Sequence, residues 1–288
     1  MGFIKNFSEL IKNSGKTRKD LLRILEYALK EVLPEAAIKK TVRTEKNALK
    51  IIDREFLLSE IDNIFVIGGG KATYRMGEAL YGILGDKISE GVITINESSK
   101  ENIGGIEVIQ AGHPIPTEEG IDGANKILSI AEKAKKRDLI IACISGGGSA
   151  LLAAPCEGIS LQDLRKTNAL LLASGASIHE INTIRKHISR IKGGRLSQIV
   201  YPAKLVSLIV SDVVGDDLSV ISSGPTVGDE TTYKDAYNVL KKYDLIEKAP
   251  FSVLEIIKNG IEGKIPETPC PGDEILSNTF NSIISVSY

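Results

Sequence analysis

Tryptophan is absent from these 288 residues, and aromatic residues as a whole make up only 5% of them. A stacking platform for single-stranded nucleic acid needs aromatic side chains along a basic groove. The formal net charge is −1, so the chain also lacks the basic excess of proteins that bind nucleic acid or anionic membrane surfaces. We therefore expect no nucleic-acid partner.

Cysteine, histidine and long apolar runs are scarce as well. The three cysteines (Cys143, Cys156 and Cys270) form no CxxC pair, which predicts reduced thiols in a cytoplasmic protein. The three histidines have no zinc-site spacing, and we expect each to be structural. No apolar run reaches membrane-spanning length, and the segment after Met1 lacks the apolar core of a signal peptide. We expect no membrane partner.

Short apolar runs alternate with segments of helical periodicity along most of the chain. Residues 64–67, 138–144 and 205–210 are nearly continuous apolar runs, as in parallel strands that are covered on both faces. The alternation predicts an α/β fold with a Rossmann-like, doubly wound and mostly parallel sheet.

Capping patterns mark several predicted helix starts. Thr17 with Asp20 and Ser177 with Glu180 have the capping-box spacing. After Ser177, isoleucines recur at 181, 184, 188 and 191, which predicts one helix with a buried stripe that ends at a pair of glycines, residues 193–194.

A first glycine turn follows the predicted strand at 64–67. It consists of Gly68, Gly69 and Gly70, followed by Lys71. Glycines let an anion approach backbone N–H groups, and Lys71 adds a positive charge where a helix begins. The turn is not a Walker loop or a dinucleotide fingerprint, because Phe65, Ala72 and Thr73 occupy required Gly, Ser/Thr and Gly positions. The alternative is a tight turn with an exposed lysine.

A second glycine turn follows the predicted strand at 138–144. It consists of Ser145, Gly146, Gly147, Gly148 and Ser149. Neither serine fits the Gly-x-Ser-x-Gly pattern of hydrolases. Two such turns at the carboxyl ends of parallel strands predict one shared crevice, in which backbone N–H groups and serines bind an anion. The alternative is that both are merely tight turns.

A basic stripe lies on the predicted helix that begins after Ser177. Asn182, Arg185, Ser189 and Lys192 recur at helical spacing, and Arg195 follows the two glycines. Such a stripe suits a carboxylate or a phosphate, which arginine binds in a fork. The alternative is an ordinary solvated face.

An acidic segment follows the predicted strand at 205–210. Asp212 comes first, and Asp216 and Asp217 follow. A carboxylate at a strand end can hold Mg²⁺ beside a phosphate or accept a proton from a substrate hydroxyl. The alternative is that these aspartates cap the next turn, which we expect of Asp217.

The ordered set of motifs resembles the class II glycerate 2-kinases. The motifs are Gly68–Ala72, Gly112–Pro114, Ser145–Ser149, Asn182 with Arg185–His187, Lys192–Leu196, Ser211–Asp212 and Ser223–Thr226. The resemblance implies transfer of a phosphoryl group from ATP, with Mg²⁺, to the 2-hydroxyl of D-glycerate, which gives 2-phosphoglycerate. It also implies a cleft between a large Rossmann-like domain and a smaller C-terminal domain, and it makes Lys71 important for activity.

The motifs and the resemblance together assign the site. Lys71, Asp212 and Arg185 are assigned to catalysis, and Asp212 with Asp216 to the metal. Cofactor binding is assigned to the two glycine turns, residues 68–70 and 145–149, and to Asn182, Lys192 and Arg195.

The resemblance also predicts how the chain is divided. Residues 1–240 correspond to the Rossmann-like domain, and residues 241–288 to a linker and the beginning of a truncated C-terminal domain, with a strand at 278–284 entering it. Members of the family continue through that domain, so we expect one wall of the active site and impaired turnover. The alternatives are an NAD(P)H-dependent hydroxypyruvate reductase, against which the missing fingerprint counts, and an inactive ligand-binding fragment. A homodimer is a further candidate assembly.

Overall fold

A computed structural model describes residues 4–12 and 14–286. The strands in this part of the chain are β1 (Val42–Glu45), β2 (Ala48–Ile51), β3 (Arg54–Leu57), β4 (Ile64–Gly69), β5 (Ile88–Ile95), β6 (Ile106–Gln110), β7 (Leu139–Ser145), β8 (Lys204–Ser211) and β9 (Thr279–Val286). The helices are α1 (Phe7–Ile11), α2 (Lys16–Glu31), α3 (Pro34–Thr41), α4 (Thr73–Leu84), α5 (Glu118–Lys133), α6 (Gly148–Leu151), α7 (Leu161–Ala173), α8 (Ile178–His187), α9 (Arg195–Val200), α10 (Tyr233–Lys242) and α11 (Phe251–Ile261).

The main sheet has six strands in the order β6-β5-β4-β7-β8-β9, and every neighbouring pair is parallel. This confirms the predicted doubly wound sheet. The chain runs outward from β4 through β5 to β6, and then returns to β7 on the other side of β4. The switch point of the sheet therefore lies between the carboxyl ends of β4 and β7, where open α/β sheets bind ligands.

Both faces of the sheet are covered. In β4, Ile64 and Val66 belong to the apolar core on the α4 side, whereas Phe65 and Ile67 belong to the core on the α5 side. Every residue of β4 and of β7 is buried. The continuous aliphatic runs in the sequence follow from this burial on both sides.

A small antiparallel sheet of β1, β2 and β3 packs on the α4 side. The sequence analysis predicted no strand over residues 42–57. The guanidinium of Arg54 in β3 lies 3.5 Å from the centre of the Phe280 ring in β9. This cation–π contact links the small sheet to the far edge of the main sheet.

The segment after residue 240 packs onto the rest of the protein. Val253 and Ile257 of α11 share a core cluster with Ile184 of α8 and Tyr233 of α10. Strand β9 pairs in parallel with β8. The strand that was predicted to enter a second domain is therefore part of the main sheet, and the boundary at residue 240 stays a prediction.

Two predicted helix boundaries are wrong. Helix α2 begins one residue before Thr17 and has Gly15 at its N-cap, with no side-chain cap. Helix α8 ends at His187, so the predicted helix through Lys192 does not form. By contrast, the capping box is confirmed, because the Ser177 side chain accepts from the Glu180 N–H and the Glu180 carboxylate accepts from the Ser177 N–H.

Helix α2 carries apolar side chains at helical spacing, but none of its residues is buried. Leu21 and Ile24 are among its exposed side chains. Across the described residues, no helix combines the length and the apolar character that crossing a membrane requires.

Candidate functional site

The two glycine turns meet at the switch point, as the sequence predicted. The Lys71 N–H donates to the Gly146 carbonyl at 2.9 Å, and the Ala72 N–H donates to Oγ of Ser145 at 3.0 Å. The turn after β4 is thereby fixed against the turn after β7, and the two form one crevice.

The first turn is built for close packing. A Cβ atom on Gly68 would lie 2.0 Å from the Cys143 carbonyl oxygen, and one on Gly70 would lie 2.2 Å from Oγ of Ser145. The Gly70 N–H donates to the Thr94 carbonyl at 3.1 Å. Because the N–H groups of residues 70, 71 and 72 all have protein acceptors, they are not the anion donors that the sequence analysis expected. Gly68, Gly69 and Gly70 bring the strand ends together.

The second turn has the free donors that the first lacks. Gly147 adopts a left-handed conformation with φ of +85°, which glycine tolerates best. In the described part of the chain, the N–H groups of residues 146–149 donate to no protein acceptor. Successive free N–H groups in such a turn form a concavity that suits phosphate or carboxylate oxygens.

Three side chains surround this second turn. A Cβ atom on Gly147 would lie 3.2 Å from Cγ of Lys71 and 2.9 Å from Cδ2 of His113. A Cβ atom on Gly146 would lie 1.8 Å from Oδ2 of Asp212. Lys71 and Asp212 are exposed, and His113 is half-buried. A cation, a carboxylate and an imidazole therefore converge on the free N–H groups.

His113 is the site residue that the sequence analysis missed, because it expected every histidine to be structural. The motif Gly112–Pro114 was the available signal. Burial and then the charge of Lys71 lower the pKa of His113, while Asp212 acts in the opposite direction. The imidazole is therefore neutral at neutral pH and can accept a hydrogen bond.

The crevice beside Lys71 and Asp212 has a volume of 540 Å³, within the usual range for small-molecule sites. Arg75, one turn along α4 from Lys71, also lines it. The Arg75 guanidinium lies 3.3 Å from a carboxylate oxygen of Glu35 at the start of α3. The N-terminal helices thus contribute one rim of the crevice.

Asn182 reaches the second turn through a chain of hydroxyls. Oγ of Ser149 lies 2.9 Å from Oγ of Ser223, which donates to Oδ1 of Asn182 at 3.0 Å. A neighbouring hydroxyl, Oγ of Ser222, donates to the Ser145 carbonyl at 3.0 Å. Asn182 and these serines fix the shape of the turn from behind.

Arg185 and Lys192 line a second, smaller cavity together with Ser149. Nε of Arg185 donates to Oδ1 of Asn168 at 2.9 Å, and Nζ of Lys192 donates to the Leu152 carbonyl at 3.3 Å. The alternative of an ordinary solvated face is therefore wrong at Lys192, which follows the end of the helix and is buried. Burial lowers the pKa of Arg185, and burial and then the charge of Arg185 lower that of Lys192 to about 7.

Arg195 is not brought to either glycine turn. Its guanidinium donates to the Tyr233 hydroxyl at 3.0 Å and to the Pro266 carbonyl at 3.4 Å. These bonds join α9 to α10 and to the segment before β9. The arginine therefore has a structural role, and its assignment to cofactor binding stays a prediction.

The acidic segment after β8 separates into two parts. Asp217 accepts from the Ser219 N–H at 2.8 Å and caps a turn, as predicted. Asp212 faces the crevice, and Asp216 follows it in the same loop. Among the described residues, no three His, Cys, Asp or Glu side chains are grouped so that they could hold a metal. One carboxylate is nevertheless compatible with Mg²⁺, which often takes its other ligands from phosphates and water.

Comparison with known proteins shows which family this chain resembles in sequence and structure. A model of the family described as DUF4147, a domain of unknown function, matches residues 20–258. The chain is 44% identical over 264 residues to a glycerate 2-kinase from Pyrococcus horikoshii. That match covers 92% of this chain and 58% of the relative.

Two solved structures share the fold. A protein from Pyrococcus horikoshii OT3 superimposes with a TM-score of 0.87 at 42% identity, covering 94% of this chain and 61% of that one. A glycerate kinase from Thermotoga maritima gives a TM-score of 0.77 at 37% identity, covering 92% and 58%. The chain therefore spans about three fifths of the length of these proteins.

Proposed function

The chain belongs to the DUF4147 family. From its similarity to glycerate kinases and from the site described above, we propose that it phosphorylates the 2-hydroxyl of D-glycerate with ATP, giving 2-phosphoglycerate. The activity is that named for the Pyrococcus and Thermotoga proteins, which the chain matches over nine tenths of its own length. Because it spans only about three fifths of theirs, the activity of the whole protein is part of the proposal.

The observation that carries the proposal is the convergence of Lys71 and Asp212 on the free N–H groups of the second glycine turn. Phosphoryl transfer depends on positioning and charge stabilisation more than on covalent chemistry. In this proposal, the N–H groups and Lys71 hold phosphate oxygens and offset the charge that develops on them. The 540 Å³ crevice has room for the phosphate chain.

Asp212 can act at this site both as a metal ligand and as a proton acceptor. Its carboxylate supplies a hard oxygen ligand for Mg²⁺, which would neutralise phosphate charge, and Asp216 is a second candidate ligand in the same loop. A carboxylate there can also accept the proton of the attacking 2-hydroxyl. Neutral His113, which like Lys71 lies beside Gly147, offers a ring nitrogen that orients the same hydroxyl.

The first glycine turn counts against a nicotinamide-dependent reductase. In dinucleotide-binding sheets, the turn after the first strand presents its N–H groups to the pyrophosphate. Here the N–H groups of Gly70, Lys71 and Ala72 donate to protein acceptors. Cofactor binding in that mode would require three hydrogen bonds to be broken.

The test combines binding and product formation. Calorimetry on the 288-residue chain measures affinity for ATP with Mg²⁺, and a coupled assay that detects 2-phosphoglycerate but not 3-phosphoglycerate measures transfer. The assay is run on this chain and on a chimera that adds the unmatched part of the Pyrococcus relative. We expect MgATP binding by the chain and 2-phosphoglycerate from the chimera.

Three results would contradict the proposal. The first is phosphorylation at the 3-hydroxyl. The second is no transfer in the chimera although it binds both substrates. The third is NADH oxidation with hydroxypyruvate, which would favour the reductase.

A further inference from the structure

The cavity that contains Arg185 and Lys192 is lined by two basic side chains and by no acidic one. Lys192 is only 5% exposed. Neither residue forms an ion pair with any carboxylate in the described part of the chain. Burying a charge without a partner is costly, so such a site calls for an explanation.

The neighbouring Lys186 shows what this fold does with an ordinary buried lysine. It is 6% exposed, and its ammonium lies 3.1 Å from the carboxylate of Asp229, which is itself buried. Asp229 also accepts from the Thr231 and Thr268 hydroxyls. Lys186 is thus neutralised within the protein, whereas Lys192 is not.

Both side chains have N–H groups that are not used in the hydrogen bonds described above. The Lys192 ammonium carries three hydrogens and gives one to the Leu152 carbonyl. The Arg185 guanidinium carries five and gives the one on Nε to Asn168. The remaining hydrogens are available to a bound anion, and arginine can offer two of them in a fork.

The chain path brings this pair close to the second glycine turn. After α8, the Arg190 N–H donates to the Ala154 carbonyl at 2.8 Å, and the Cys156 N–H donates to the Ile188 carbonyl at 2.9 Å. This pairing holds Lys192 beneath the residues that follow the turn. Ser149 lines the cavity, only two residues after the glycine that contacts Lys71.

Size separates the two sites. The small cavity has a volume of 10 Å³, about what one water molecule needs, whereas the crevice beside Lys71 has 540 Å³. A nucleotide triphosphate fits only the crevice. The small cavity has room for about one oxygen atom, so a small acid would reach Arg185 and Lys192 with a single carboxylate oxygen at its mouth.

We propose that Arg185 and Lys192 bind the carboxylate of the small 2-hydroxy acid, and that the nucleotide occupies the separate crevice beside Lys71. The identity of the acid as D-glycerate rests on the proposed function, but carboxylate binding by this pair does not. The hydroxyl to be phosphorylated lies on the carbon next to the carboxylate. Anchoring the carboxylate beside Ser149 therefore leaves that hydroxyl near the glycine turn and Lys71.

Calorimetry on the 288-residue chain tests the assignment with D-glycerate, with glycerol, which lacks the carboxylate, and with MgATP. The variant is Lys192→Met, which keeps the length of the side chain and removes the charge. The matched control is Arg190→Gln, which removes an exposed charge on the same segment. Arg185→Gln tests the same pocket through a second side chain.

The wild-type chain is expected to bind D-glycerate and not glycerol. Lys192→Met and Arg185→Gln should each lose about 10- to 100-fold in D-glycerate affinity, the usual loss for a charged hydrogen bond, and keep their affinity for MgATP. Arg190→Gln should match the wild type. The melting temperature of Lys192→Met should equal or exceed that of the wild type, since replacing an unpaired buried charge by an apolar side chain is often stabilising.

Three results would overturn the assignment. They are unchanged D-glycerate affinity in Lys192→Met and Arg185→Gln, loss of MgATP affinity with D-glycerate affinity retained, and absence of D-glycerate binding in the wild type. Failure of the proposed function alone looks different: D-glycerate still binds through Arg185 and Lys192, but no phosphoryl group reaches it.

Discussion

At the scale of single residues, Lys71 tests the crevice most directly. We expect Lys71→Ala to reduce phosphoryl transfer by about 10²- to 10³-fold, because it removes a cation aimed at developing phosphate charge. Lys87→Ala, an exposed lysine beyond the other end of α4, is the control. Transfer is measured in the chimera, and thermal melts check that the fold is intact. Equal rates in the two variants would remove Lys71 from the mechanism.

Gly146 tests the position of Asp212. Alanine there would place its Cβ 1.8 Å from the carboxylate, so Asp212 must swing away. We expect Gly146→Ala to weaken Mg²⁺-dependent nucleotide binding about 10-fold with little change in melting temperature, since Asp212 is exposed and free to move. Gly82→Ala on α4, where an added Cβ meets nothing within 4 Å, is the matched control. Unchanged Mg²⁺ dependence in Gly146→Ala would show that Asp212 is only a turn residue.

Lys192 makes a prediction about pH. Its pKa is about 7 in the folded chain and ordinarily 10.5, so between these values the unfolded chain binds more protons. Stability from this group therefore rises with pH across that window, and its penalty is complete below pH 7. We expect Lys192→Met to be more stable than the wild type at pH 6, with the gap closing towards pH 10. Denaturant titrations at four pH values measure it, and a gap that is constant with pH would contradict the lowered pKa.

At the scale of elements, the N-cap of α8 governs the helix that carries Asn182 and Arg185. Removing the Ser177 hydroxyl leaves the Glu180 N–H without its acceptor. We expect Ser177→Ala to lower the free energy of unfolding by about 1 kcal/mol, as is typical for a lost N-cap. Thr17→Ala is the matched control, because the structure gives Thr17 no cap role despite its capping-box spacing. Equal losses in urea titrations would show that the two positions are equivalent.

The parallel sheet was predictable from sequence because its strands are buried on both sides and therefore nearly all aliphatic. The small antiparallel sheet was not, since β1 and β3 are four residues long and read as Val-Arg-Thr-Glu and Arg-Glu-Phe-Leu. Helix α8 was predicted too long because the isoleucine spacing continues through Ile188 and Ile191. Those two side chains are buried in two different core clusters, and residues 154–156 pair with 188–190 instead of continuing the helix, a tertiary contact that periodicity does not record.

The site was predictable in position but not in detail. Strand ends and glycines located both turns and the residues around them. Other segments of the chain decide which turn keeps its N–H groups free, because they supply the carbonyl acceptors. The Thr94 carbonyl, for example, accepts from the Gly70 N–H. The position of half-buried His113 beside the second turn and the burial of Lys192 likewise come from packing between distant segments, which the residue types do not reveal.

At the scale of the whole molecule, the relatives raise the question of how much of the catalyst these residues hold. Phosphoryl transfer benefits from excluding water, which needs two walls that close on the substrate. We expect the chimera with the unmatched part of the Pyrococcus relative to turn over at least about 10-fold faster than the 288-residue chain. Both are compared at equal concentration in the 2-phosphoglycerate assay, with the Pyrococcus protein as reference. Equal rates would place the complete site within these 288 residues.

The position of β4 between β5 and β7 also has a consequence for the order in which the sheet folds. Ile64 pairs with Ile88 nearby in the chain and with Leu139 much further along it. Contacts distant in sequence form slowly, so we expect the pairing of β4 with β5 to precede the docking of β7. The crevice would then form only in that late step. We therefore expect a bound nucleotide to slow unfolding and to leave the refolding rate unchanged.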